Sequence, residues 1–198
     1  MSGIVGSINT RGSGITNLGS ATDGQVYTGT GAGLPVGFEA AAGGGKLLQV
    51  VSTTKTDATS ATVTTFTDIA GMSVTITPSA TSSKILVTVW IQASSAANNQ
   101  GGYYKLVRGT TDINIGDAAG SRLRAWGNMF PSVSDNGASF TGTSFLDSPS
   151  STSAETYKVQ WTAGPSNNGN NINKPRATVD SNRYVRMTSG IMVQEIGA

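Results

Sequence analysis

The stretch Lys84-Ile-Leu-Val-Thr-Val-Trp-Ile-Gln92 sets Ile85, Val87, Val89 and Ile91 against Leu86, Thr88, Trp90 and Gln92. Successive side chains of a strand point to opposite faces, so this period of two predicts a strand with one strongly apolar face and a second that is half apolar. A strand with two such faces belongs inside a sandwich, where one sheet packs on another.

Working outward, short apolar runs separated by turn residues recur on both sides. Residues 47–52, 62–67 and 73–77 read as strands, the last ended by Pro78 and the polar turn 79–83. Residues 103–108 and 112–115 flank Gly109-Thr110-Thr111 and predict a hairpin. Residues 139–146 and 156–162 bracket the polar turn 147–153, with Tyr157, Val159 and Trp161 sharing one face. The run 184–196 predicts a closing strand with Met187, Ser189, Ile191 and Val193 on one side, and 166–173 reads as an asparagine-rich loop. No segment carries the helical period over ten or more residues. Roughly eight short strands at this spacing predict an all-β fold, an antiparallel, jelly-roll-like sandwich whose connectivity stays open.

Composition divides the chain near residue 45. Residues 1–45 hold 13 of the 26 glycines and only three charges, Arg11, Asp23 and Glu39. Apolar anchors Ile4, Val5, Ile15, Leu18, Val26, Tyr27 and Phe38 stand between Gly-Ser and Gly-Thr spacers. Such a segment buries too little apolar surface to offset its ordering entropy alone, which predicts an extended, glycine-rich arm ordered only by docking. Two readings stand: a loose linker, or an attachment arm whose anchors fit into neighbouring subunits. Residues 46–198 form the expected sandwich domain.

Charged residues make up only 12% of the 198, against a usual share of about 25%. The net charge of +2 is too small to predict a nucleic-acid or anionic-membrane partner. There are no cysteines, which excludes disulfides and thiol chemistry, and no histidines, which removes the commonest general base and metal ligand. The start, Met1 to Ser7, lacks the basic and apolar regions of a signal peptide, and no run is long enough to insert in a membrane. The expectation is a soluble chain made in the cytoplasm, not an enzyme and without cofactors.

Three weaker signals remain. The eleven acids, among them Asp57, Asp68, Asp112, Asp117, Asp135 and Asp147, sit in or beside turn signals, where Asp caps backbone amides; a carboxylate-dependent depolymerase would need two of them facing across a cleft. Lys174, Arg176, Arg183 and Arg186, opposed only by Asp180, form the one basic concentration, either a solvated strand face or a surface for acidic glycans or a partner. Tyr103, Tyr104, Trp126 and Phe130 stand near asparagine and glycine loops and read either as core or as a sugar-stacking surface. Gly29-Thr-Gly-Ala-Gly-Leu-Pro-Val-Gly37 lacks the strand and helix that a phosphate-cradling loop needs and belongs to the arm.

The motifs Ser2-Gly-Ile-Val-Gly-Ser7, Arg11-Gly-Ser-Gly14, Thr22-Asp-Gly-Gln-Val26 and Thr30-Gly-Ala-Gly33 resemble the start of structural proteins from tailed bacteriophages, especially those of marine bacteria. Gly45-Lys-Leu-Leu-Gln-Val-Val-Ser52, Ser83-Lys-Ile-Leu-Val87, Leu106-Val-Arg-Gly109, Phe145-Leu-Asp-Ser-Pro149 and Thr156-Tyr-Lys-Val-Gln160 resemble elements of phage fibre and virion-decoration modules. The resemblance spans nearly the whole chain, through short structural motifs. It implies a homotrimeric β-sandwich on the virion, attached to tail or capsid proteins through its N-terminal segment, with host-surface glycans as further partners if the domain is a receptor-binding tip. It supplies no catalytic positions. The chain lacks a long repetitive shaft, which leaves a short fibre, a spike and a decoration protein open.

Overall fold

A computed structural model of the chain describes residues 25–28, 37–40, 45–96, 101–129, 135–163, 169–177 and 179–197. The chain falls into two compact units, residues 1–44 and 45–198. In the first unit, β1 (Gln25–Thr28) and β2 (Gly37–Ala40) form an antiparallel pair in which Val26 stands opposite Glu39 and Tyr27 opposite Phe38. Three of the arm's anchors, Val26, Tyr27 and Phe38, lie on these paired strands. The anchors Ile4, Val5, Ile15 and Leu18 lie outside the described residues.

The second unit is a sandwich of two antiparallel sheets, and no helix occurs among its described residues. Its strands are β3 (Leu47–Lys55), β4 (Thr59–Ala61), β5 (Thr67–Ile76), β6 (Lys84–Ser95), β7 (Gly102–Arg108), β8 (Thr111–Ile113), β9 (Gly127–Met129), β10 (Ser139–Asp147), β11 (Glu155–Thr162), β12 (Asn170–Ile172) and β13 (Ser189–Ile196). One sheet runs β3-β13-β6-β10, with β12 and β4 continuing it beside the far end of β6. The other runs β5-β11-β7-β8, with β9 beside the start of β7. Setting aside the short β4, β9 and β12, the eight remaining strands change sheet at every step except the β7–β8 hairpin, and the resulting orders β3-β13-β6-β10 and β5-β11-β7-β8 are the double Greek key of a jelly roll.

The core lies between the sheets. The strand that decides the fold supplies Ile85, Val87, Val89, Ile91 and Ala93 from β6, which face Met72, Val74, Tyr104, Leu106, Tyr157, Val159 and Trp161 of the second sheet. Ile191 and Val193 of β13 and Ile172 of β12 complete it. Alternation in β6 is therefore a direct record of burial: the odd residues are buried and Leu86, Thr88, Trp90 and Gln92 are half-buried. The hairpin joining β7 to β8 turns through Gly109 and Thr110 alone, with Gly109 at φ +57, and Thr111 already belongs to the strand.

Four expectations are corrected. Residues 62–66 are not a strand but link β4 to β5, and the strand expected over 73–77 is longer, beginning at Thr67. Gly71, at φ +79, sits where the pairing with β11 shifts between Lys158 and Gln160, so buried positions jump from Ile69 to Met72 before alternation resumes. Residues 184–188 are not extended into β13, which begins at Ser189. The asparagine-rich loop contains a strand, β12, whose Asn170 and Asn171 are buried.

Candidate functional site

The segment between β12 and β13 is held at its root by a buried polar node. Asn173, at φ +61, donates from Nδ2 to the carbonyls of Lys55 (2.8 Å) and Asp57 (3.0 Å) and accepts from Ser189 Oγ (2.6 Å). Ser189 Oγ in turn accepts from the Gln92 amide at 2.9 Å. Asn171 donates to Ser94 Oγ (3.0 Å) and accepts from Ser60 Oγ (2.7 Å), and Ser94 Oγ donates to the Lys174 carbonyl at 2.9 Å. Buried amides need such partners, and here they tie β3, β4, β6 and β13 to the loop root that follows β12. Asparagine beside glycine reads as a turn because its partners Lys55, Asp57, Ser60 and Ser94, more than 70 residues away, are invisible in the sequence.

From this root, residues 174–177 and 179–186 surround a pocket of about 260 Å³, lined among others by Lys174, Val179, Asp180, Tyr184 and Arg186. Lys174 and Arg186 thus share one pocket with the opposing carboxylate of Asp180. Arg176 turns away to pair with Asp135, and Arg183 does not line the pocket. The basic concentration is therefore split, and the pocket that remains offers two cations, one anion and a phenol.

The aromatic group is also divided. Tyr104 is wholly buried, a core residue and not an exposed stacking surface, and burial pushes its phenol up. Its ring stacks on Trp126 with centroids 5.7 Å apart. Tyr103 and Trp126 line an open groove of about 250 Å³ with Leu123 and Asn128. Trp126 Nε1 is buried with no hydrogen-bond partner among the described residues. Phe130 lies outside the described residues.

Five of the acids, Asp57, Asp68, Asp112, Asp135 and Asp147, accept from side chains. Asp68 accepts from Lys158 (2.9 Å) and Gln160 (2.7 Å), and the Lys158 ammonium is the first cause of its lowered pKa. Asp57 is lowered likewise by Lys55, 2.6 Å away. Asp112 pairs with Lys105 at 2.6 Å. Asp147, buried at the end of β10, accepts from Arg108 Nη1 (2.6 Å) and Tyr157 Oη (2.7 Å); Glu155 approaches the same guanidinium at 4.0 Å. Among the described residues no group of three or more acids is placed to hold a metal ion.

No protein-family model and no curated protein sequence matches the chain.

Proposed function

We propose that this chain is a non-enzymatic structural protein of a tailed-phage virion, a homotrimeric spike, short fibre or decoration module joined to tail or capsid proteins through residues 1–45. The observation that carries the reading is the division of the chain: a glycine-rich N-terminal unit followed by a jelly roll. Double-sheet jelly rolls serve in viral capsid and lectin domains, an analogy at the level of fold that raises both structural and glycan-binding readings. The acids traced above are engaged by neighbouring cations and hydroxyls, as in a scaffold held together by its polar groups. In this reading the protein is made in the host cytoplasm and resides in the virion.

Deletion of residues 1–45 tests it. The truncated chain is expected to fold and to be lost from particles; loading at wild-type occupancy would remove the attachment role from the arm.

A second reading, a host-surface glycan-binding tip, is favoured by one observation: the half-buried Trp126 lines an open groove beside Tyr103. A pair of aromatic side chains at an open groove suits the apolar face of a sugar ring. Binding on a glycan array that disappears in Trp126→Ala supports this reading, and an empty array counts against it.

A further inference from the structure

The two outer faces of the sandwich differ in chemistry. On the β5-β11-β7-β8 sheet, Asp68, Lys158, Lys105 and Asp112 point outward and pair, Lys158 with Asp68 at 2.9 Å and Lys105 with Asp112 at 2.6 Å. That face is built for water.

The outer face of the β3-β13-β6-β10 sheet carries no charge across its centre. Its registers align Val50, Gln194, Leu86 and Leu146 in one row, then Ser52, Met192, Thr88 and Ser144, then Thr54, Gly190, Trp90 and Gly142. Beyond these, Gln92 stands beside Phe140, and at the other end Leu47 and Ile196 stand beside Lys84, the face's one cation. Phe140 is 65% exposed and Leu146 53%, so the apolar surface reaches the β10 edge; Leu47, Leu48 and Val50 carry it to the β3 edge.

The three complete rows and the two partial rows beyond them span roughly 30 by 19 Å in projection at their widest. Isolated soluble chains rarely expose a contiguous apolar patch above a few hundred Å², and a stable interface takes about 800 Å² of accessible surface from each partner. A corrugated face of this footprint comes close to that need.

The occupant is defined by what lies between the apolar side chains. Ser52, Thr88, Ser144, Gln92 and Gln194 each carry both donor and acceptor, so copies of the face brought together around a three-fold axis can hydrogen-bond to one another, as faces patterned with like charges could not. A partner recognised by its charge finds nothing to read there.

We propose that the outer face of the β3-β13-β6-β10 sheet, centred on Met192 and Trp90, is the surface on which copies of this chain associate. The inference rests on the reading of the protein as a homo-oligomer and assigns that assembly its interface.

Sedimentation velocity on the full chain tests it, with Met192→Lys and Thr88→Lys on this face and Ser73→Lys on the opposite sheet. A lysine buried without a partner is costly. Either face substitution is therefore expected to weaken association more than about 100-fold. Circular dichroism should show both variants folded, and Ser73→Lys should assemble as wild type. Thr88→Lys, at a half-buried hydroxyl, keeps the test valid if Met192→Lys does not fold. A wild-type oligomer indifferent to Thr88→Lys overturns the interface while leaving the homo-oligomer intact. A wild-type chain monomeric at about 100 µM overturns both.

Discussion

The indole of Trp90 occupies the space above Gly190: a Cβ built at 190 would overlap Cζ2 of the ring and stand 2.7 Å from Cη2. Gly190 pairs with Trp90 from β13, and Gly142 pairs with it from β10, so the largest side chain of this face is flanked on both sides by residues without one. The ring thereby covers the sheet instead of standing out from it.

Gly190→Ala should displace the indole, and the new methyl would also press on the Thr53 carbonyl at 2.8 Å. Overpacking of this kind costs about 1–3 kcal/mol. The expected result is a fall of several degrees in melting temperature with a changed near-ultraviolet circular dichroism spectrum. An unchanged spectrum would mean that the ring does not rest on Gly190.

Asn173 combines a left-handed backbone with three side-chain hydrogen bonds. Asn173→Ala should lose both features and cost about 2–4 kcal/mol in urea unfolding. Asn173→Gly keeps the backbone freedom and should cost less than alanine. If the two variants are equally stable, φ at this position contributes nothing.

Glu195 is buried, which by itself raises its pKa, but donors from Ser79 (2.6 and 2.7 Å) and Gln49 (2.6 Å) outweigh this and hold the carboxyl at about 2. The folded value lies below the ordinary 4.5, so the stability this group supplies is complete above that pH and is lost as pH falls toward 2. Glu195→Gln should be less stable than wild type above pH about 5, with the gap closing by pH about 2.5. A gap independent of pH would contradict the assignment.

Tyr157 donates to the buried Asp147 carboxylate, which keeps Arg108 as its second partner. Burial and that bond push the phenol up. Tyr157→Phe should therefore cost only about 1–2 kcal/mol. Arg108→Ala, which strips the cation from a buried carboxylate, should cost about 3 kcal/mol or more. Denaturant midpoints of the two variants decide between this order and its reverse.

Alternation made β6, β11 and the end of β13 legible, because in each the buried positions follow every second residue without interruption. The first half of β5 was hidden because Gly71 and the bulge break the count, leaving only its end, from residue 73, readable as a strand. β12 was hidden because its asparagines bond to Ser60, Ser94 and Thr162, contacts that only tertiary structure supplies. The same limit applies to the surfaces. Lys174 and Arg186 are twelve positions apart yet line one pocket, whereas Tyr103 and Tyr104 are adjacent yet on opposite faces of β7. The contrast between the outer faces becomes visible only once the registers align β3, β13, β6 and β10.

The most direct test of the structural role is to locate the protein in intact phage particles by cryo-electron microscopy, with a tag at Ala198 and quantitative mass spectrometry of the purified particles. The account predicts a fixed copy number at defined positions, in groups of three, whether spread over the shell or confined to the tail. Absence from purified particles, with the protein abundant in the lysate that produced them, would contradict it.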